Sequence, residues 1–209
     1  MYAARMSLVA PPFTGLVLAG GRSTRMGRDK ATLPLAGRTL LARAVDTIRR
    51  AGGTAVILGP PRPEGDRAGA RLLDDGGEGP LEALRVGMAA APAPWFALAC
   101  DLPLLPAEAI AAIVARLEEE HDAVVPRALG RLQVLAAAYG PGARGAIDRA
   151  IAAGESAVRA AVAAMRVREI DAGALGAGEG EAMFLNVNTP DDLTRAADRL
   201  AAGPPERAA

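Results

Sequence analysis

Lysine occurs once in this 209-residue chain, at position 30, among 24 basic residues. It closes the run Leu18-Ala19-Gly20-Gly21-Arg22-Ser23-Thr24-Arg25-Met26-Gly27-Arg28-Asp29-Lys30, which begins inside an apolar stretch, Thr14 to Ala19. Glycines let backbone N–H groups approach an anion closely. Arg22, Arg25 and Lys30 add positive charge. The pattern predicts a triphosphate cradle at the carboxyl end of a buried strand, where open α/β sheets bind ligands. A lysine ammonium is a compact point charge, and the planar fork of arginine does not replace it in a tight phosphate pocket. The run is not a Walker A loop, since no Gly-Lys-Ser/Thr follows the spacer, and it lacks the Gly-x-Gly-x-x-Gly dinucleotide fingerprint. A plain basic surface loop would need neither so many glycines nor this order of charges.

Three further constellations carry polar chemistry. Asp101 follows the apolar run Trp95 to Cys100. A lone carboxylate at the mouth of a parallel sheet suits Mg²⁺, which takes one or two carboxylates plus substrate phosphates; the bland alternative is a turn aspartate before Pro103. Cys100 reads as a buried, small apolar residue. Asp74-Asp75-Gly76-Gly77-Glu78 precedes Gly79-Pro80, which opens a helix, so the acids either serve a site or complement the positive helix end. Both asparagines of the chain lie in Leu185-Asn186-Val187-Asn188-Thr189-Pro190. Two apart in a strand, they face the same side, and buried amides at a strand end bind something polar. The alternative is a turn residue ahead of a capped helix.

The elements that must position these groups alternate in type. Strands are expected at Thr14–Ala19, Ala55–Leu58, Arg71–Leu73, Trp95–Cys100, Ala123–Val125, Gln133–Tyr139, Val167–Ile170 and Phe184–Val187. Helices are expected at Thr39–Ala51, Gly79–Ala91, Pro106–Glu120, Ala143–Ala153 and Ser156–Met165. Thr189 caps a last one, with Pro190 at its first position and Asp192 completing a Thr-x-x-Asp box. Arg22–Arg38 and Ala172–Gly180 read as loops. Continuous apolar strands between helices predict a three-layer α/β/α fold around a mostly parallel sheet, Rossmann-like in outline. One domain over 14–202 is expected, with a flexible segment 1–13 and a disordered tail 203–209.

Composition narrows the function. Formal net charge is zero and the pI is near 6.6, against the basic excess of nucleic-acid-binding proteins. One cysteine and one histidine, His121, exclude disulfide frameworks, multi-cysteine zinc or iron–sulfur sites and histidine-rich metal centres. No Gly-x-Ser-x-Gly elbow is present. The longest uncharged runs, Met6–Gly21 and Val86–Cys100, are too short to span a membrane and contain prolines. Without the apolar core of a signal peptide in Met1–Phe13, a cytoplasmic location is the expectation.

The glycine-rich run, Gly79-Pro80-Leu81, Cys100-Asp101-Leu102-Pro103 and Asn186-Val187-Asn188-Thr189-Pro190 together resemble, in order and over about residues 14 to 200, the molybdenum cofactor guanylyltransferases. Gly154-Glu155-Ser156 through Arg159 matches a further stretch. The resemblance implies the nucleotide-diphospho-sugar transferase-like fold. It implies transfer of GMP from GTP to the terminal phosphate of molybdopterin, with or without molybdenum, with release of pyrophosphate. It implies catalytic roles for Lys30, Arg25 and Asp101, with Mg²⁺ at Asp101. Nucleotide contacts are implied at Leu18, Ala19, Gly20, Gly21, Lys30 and Asp101 and at Asp74 or Asp75, this loop being shorter than usual. Gly59 stands where a nucleotide-contacting polar residue is common. Asn186, Asn188 and Gln133 are implied on the pterin side, although Gln133-Val134-Leu135 replaces the usual Gln-Pro-Leu and Glu82-Ala83 replaces small residues. The expected partners are small molecules, GTP and molybdopterin, with transient contact to the proteins that insert the cofactor, and neither nucleic acid nor membrane. The loop alone is shared by several nucleotidyltransferases; Asp29-Lys30 and the Asn-x-Asn-Thr-Pro ending favour the guanylyl branch. Rival readings are a cytidylyl- or sugar-phosphate nucleotidyltransferase, a non-catalytic nucleotide-binding module, and a small-molecule kinase.

Overall fold

A computed structural model describes residues 10–20, 29–175 and 180–203. Gly21, Arg22, Arg25 and Gly27 of the glycine-rich run lie outside the described residues, as does the tail beyond Gly203.

The chain begins with β1 (Thr14–Leu18), buried at every position. Lys30–Thr32 forms a 3-10 turn, followed by β2 (Pro34–Leu35) and β3 (Arg38–Thr39), a small antiparallel hairpin. Its turn, Ala36-Gly37, has both φ values positive, +47° and +78°, as a two-residue hairpin with right-handed strand twist requires. The stretch read as a loop therefore contains ordered structure. Then come α1 (Leu40–Arg50), β4 (Thr54–Leu58), β5 (Arg71–Leu73), α2 (Pro80–Ala90) and β6 (Trp95–Ala99). The second half holds α3 (Ala107–Val114), β7 (Ala123–Ala128), β8 (Arg131–Leu132), β9 (Ala136–Tyr139), α4 (Gly142–Ala152), α5 (Val158–Ala163), β10 (Val167–Asp171) and α6 (Pro190–Ala202).

The main sheet runs β10-β7-β9-β6-β1-β4-β5, with β8 on β7. It is mostly parallel. β9 runs against both neighbours, and β8 against β7. Strand side chains alternate between two cores. Val17, Ile57, Phe96 and Leu98 pack under α1 and α3. Leu16, Leu58, Trp95 and Ala97 pack under α2, α4 and α5. That alternation makes the three layers. A third, small cluster joins Leu35, Leu40, Leu104, Val187 and Ala196, and seats α6 against the β2–β3 hairpin.

Several expected elements differ in extent. The helix read as Pro106–Glu120 ends at Val114; Glu118-Glu119-Glu120 would have placed three carboxylates at the negative end of the dipole. Leu117 still packs on the core from outside the helix. Ser156–Met165 shortens to Val158–Ala163, and Gln133–Leu135 bulges out between β8 and β9. Ala172–Leu175 within the expected loop is a 3-10 turn. Phe184–Val187 is not a strand: Gly180–Phe184 is a 3-10 turn, and the residues after it join no ladder. Phe13, assigned to the N-terminal segment, is buried edge-on against Phe96, with ring centroids 6.4 Å apart.

Candidate functional site

β1 is the topological switch point. The chain leaves it through α1 to β4 and β5 on one side, then returns to β6 on the other. Helical crossovers on opposite sides open a crevice at the carboxyl ends of β1 and β6. Lys30 and Asp101 meet there. The Lys30 Nζ donates to Asp101 Oδ2 at 2.8 Å and to Asn188 Oδ1 at 2.8 Å. Both charged side chains are mostly covered, with 16% and 20% of their surface exposed. The Asn186 Nδ2 donates to Asp101 Oδ1 at 3.0 Å, and Asn186 Oδ1 accepts from the Arg131 guanidinium at 2.8 Å. The result is a continuous chain, Asn188–Lys30–Asp101–Asn186–Arg131, drawn from four separate stretches of sequence, the two asparagines sharing one.

Each link has a local cause. Asp29 caps the 3-10 turn through Ala31 N–H and so sets the direction in which Lys30 leaves the backbone. Asp101 sits one residue past Cys100, whose N–H bonds the Leu18 carbonyl and so carries the β1–β6 pairing to the sheet edge. Both asparagines reach this cluster, although the strand on which the spacing argument relied does not form and no ladder aligns them. Buried Val187 anchors the segment between them, and its N–H bonds the Asp101 carbonyl. The Thr189–Asp192 box forms fully. The Asp192 carboxylate also accepts the Asn188 N–H at 3.0 Å. These backbone and hydroxyl donors, Asn188 first, hold the Asp192 carboxyl down at about 2. Burial, and secondarily the Asp101 carboxylate, push the Cys100 thiol up to about 12, as an inert core residue requires.

The other side of the crevice is acidic and close-packed. Asp75 is buried, accepts the Gly77 N–H through Oδ1, and its Oδ2 would lie 3.0 Å from a Cβ on Gly20. Asp74 is exposed and caps the Gly76 N–H in a local turn. A Cβ on Gly59 would stand 3.0 Å from the Ala19 carbonyl carbon, so the absence of a side chain lets the two strand ends touch. The Ala19 N–H is spent on Leu58, and the Leu18 carbonyl accepts from Cys100, so these residues line the floor as strand ends. Gln133 is not brought to the Lys30 cluster by any hydrogen bond: buried, it gives its amide N–H to the Ala128 carbonyl within the β7–β8 corner. A cavity of about 810 Å³ opens at the opposite end of the sheet, between Phe13, Thr54, Ala70 and Pro92, remote from all of this chemistry.

Two arginines went unread in the sequence. Arg131 follows the Leu129-Gly130 turn, whose positive φ values are a hairpin signal. Arg62 lies between Pro61 and Pro63, is only 6% exposed, and bonds both the Asp29 carboxylate and the Ala19 carbonyl. A charged residue enclosed by prolines was the available signal.

Asp101 could accept a divalent ion. A carboxylate offers about four lone-pair directions, and its described partners, Lys30 and Asn186, use two. One carboxylate, with phosphate oxygens from a substrate, is a donor set magnesium takes.

The fold and this crevice define a nucleotidyltransferase-type α/β protein. A structure of molybdopterin-guanine dinucleotide biosynthesis protein A from Archaeoglobus fulgidus superimposes with a TM-score of 0.73, at 23% identity, over 90% of this chain and 99% of that one. A 2-C-methyl-D-erythritol 4-phosphate cytidylyltransferase from Thermus thermophilus has the same fold, with a TM-score of 0.69, at 21% identity over 92% of this chain and all of that one. The model of the MobA-like NTP transferase domain matches residues 15–169, and the chain belongs to that family. Among its relatives, the "Probable molybdenum cofactor guanylyltransferase" of Pelotomaculum thermopropionicum is 34% identical over 88% of this chain and 91% of its own length. The molybdenum cofactor guanylyltransferase of Desulfosudis oleivorans is 31% identical over 91% and 96%.

Proposed function

We propose that the protein transfers GMP from GTP to the terminal phosphate of molybdopterin, forming the guanine dinucleotide and releasing pyrophosphate. The observation that carries this reading is the convergence of the only lysine, Lys30, on Asp101 and Asn188, with Asn186 on the same carboxylate, at the switch point of the sheet. The guanylyltransferase relatives, alike over nearly the whole chain, support it against a cytidylyl transferase or a binding module.

The acceptor phosphate oxygen forms a bond to the α-phosphorus of GTP, and the bond from that phosphorus to the bridging oxygen breaks. Two anions must meet, so catalysis is charge neutralisation and alignment. Lys30 has three donors; Asp101 and Asn188 take two and hold the ammonium in place for a phosphate oxygen. Arg25 would add charge on the same phosphates. Leu18, Ala19, Gly20 and Gly59 form the nucleotide side, to which Gly21 would also belong. Of the two acids left open by the sequence, burial beside Gly20 favours Asp75 as the nucleotide contact. Asn186 and Arg131 lie on the acceptor side, with Gln133 supporting the corner behind them. Mg²⁺, held by Asp101 and substrate phosphates, would withdraw charge from the reacting phosphoryl oxygens. No general base is needed, because the nucleophile is already an anion. Among the described residues no helix is long and apolar enough to cross a membrane. The reading places the work in the cytoplasm, with small molecules as substrates and a transient hand-over of product to insertion proteins.

The test is pyrophosphate release measured with each of the four ribonucleotides, with molybdopterin and Mg²⁺ supplied. GTP turnover that depends on both additions is the expected result. Release with CTP alone would replace guanylyl by cytidylyl transfer, and none with any nucleotide would overturn the reading.

A further inference from the structure

The Asp29-Lys30 pair is held from behind by a residue remote in sequence. Arg62 follows β4 in the strap Gly59-Pro60-Pro61-Arg62-Pro63. Proline fixes its own φ and pushes the residue before it to extended geometry, so the strap has few conformations to lose. The Arg67 guanidinium clasps the Arg62 carbonyl through both Nε and a terminal nitrogen, at 2.9 and 2.6 Å. The Arg62 side chain is thereby presented from a stiff base. One terminal nitrogen bonds the Ala19 carbonyl at 2.6 Å, and the other pairs with Asp29 Oδ2. Asp29 keeps its second oxygen on the Ala31 N–H, the cap of the turn from which Lys30 projects. The guanidinium therefore spans the end of β1 and the residue immediately before Lys30.

Stability alone does not account for this arrangement. A buried ion pair is often no better than an apolar isostere. The Arg62 Nε is also buried without a partner among the described residues, which is a cost rather than a gain. A planar fork is, however, suited to fixing two oxygens relative to one another.

We infer that Arg62 is a positioning residue for nucleotide binding: through Asp29 it fixes the Lys30 ammonium relative to the end of β1. The inference rests on the reading of Lys30 as a phosphate ligand. If Arg62 acts through Lys30, its loss is felt only while Lys30 is present.

The experiment is a cycle read by titration calorimetry of GTP with Mg²⁺, using wild type, Arg62→Met, Lys30→Ala and the double variant. Arg62→Met should weaken GTP binding about tenfold in the Lys30 background and less than about twofold in the Lys30→Ala background. Asp29→Asn keeps the cap acceptor but not the charge. On a half-exposed residue it should fold normally and match the loss of Arg62→Met, and combining the two should add nothing. Arg62→Lys should not restore affinity, since one ammonium cannot hold both oxygens in the geometry of the fork. Equal losses in both backgrounds, or full affinity in Arg62→Met and Asp29→Asn, would overturn the inference while leaving the function intact. Wild type that binds no GTP would bring down the reading of the site itself, and this inference with it.

Discussion

At the scale of single residues, the site is a chain of donors and acceptors in which every partner's identity is forced. Asn186 must turn its NH₂ to the Asp101 carboxylate and its oxygen to Arg131. Asn188 must turn its oxygen to the Lys30 ammonium. Lys30 is the member with no substitute. All the other basic positions are arginine, so arginine is acceptable to this protein in general, and a surface lysine could be exchanged silently. At position 30 a single ammonium donates to both Asp101 and Asn188, whereas a guanidinium is larger and its donors lie in one plane. Lys30→Arg should lower kcat/KM for GTP on the order of 10²-fold, equivalent to roughly 2.7 kcal/mol. Its melting temperature should stay within a few degrees of wild type. Normal turnover in this variant would reduce the lone lysine to an accident of composition.

At the scale of elements, packing and capping hold the site's walls. Gly15 on β1 lies against α1: a Cβ there would meet Ile48 Cγ2 at 2.3 Å. Helix α1 could not keep its distance from the sheet, and the strand that ends in Ala19 and Gly20 would shift with it. Gly15→Ala should destabilise by about 1–3 kcal/mol in urea unfolding, as overpacking does. Adding Ile48→Val should not fully restore it, because Cγ2 is the nearest atom and valine keeps it. On the other wall, Asp192 fixes the turn that carries Asn188. Its carboxyl is held at about 2, below the ordinary value of 3.8. A carboxyl depressed on folding contributes stability that is complete above its unfolded value and is lost as pH falls through the folded one. Asp192→Asn should therefore cost about 1 kcal/mol or more at neutral pH, the scale of a lost helix cap. The difference from wild type should shrink between about pH 4 and pH 2. Acid-unfolding curves of the two proteins check this, and a gap that persists below pH 2 would contradict it.

For the whole molecule, the crevice exists only when β1, β6, the Lys30 turn and the asparagine segment are folded together. A ligand that bridges them binds the native state and not the unfolded chain, so it must raise the melting temperature. With Mg²⁺ present, GTP should raise it more than CTP or ATP at equal concentration. Equal shifts for all three would remove the guanine preference while leaving the phosphate site in place. The sheet order sets where this happens. Reversal of direction at β1 leaves the gap between crossovers at the carboxyl ends of β1 and β6, while the cavity at the opposite end holds none of the reactive groups.

Much of this was legible in the amino-acid order because it is local. Apolar runs such as Thr14–Leu18, the Thr189 capping box and the Gly79-Pro80 helix start depend on neighbours a few residues apart, and these occur as expected. Lys30, Asp101 and the asparagine pair stood out by type, rarity and position after strands. Other features depended on long-range contacts that no periodicity records. Tertiary structure left the asparagine segment without a ladder, yet brought both amides to the cluster by burying Val187 between them. It chose Asp75 over Asp74 for the place beside Gly20, because only burial distinguishes two adjacent carboxylates. It also brought Arg62 and Arg131 to the site, 33 residues from Asp29 and 55 from Asn186. A sequence can announce which residues are chemically costly to keep. Which of them meet is decided by strand order and by the closure of loops, since distance along the chain does not specify distance in space.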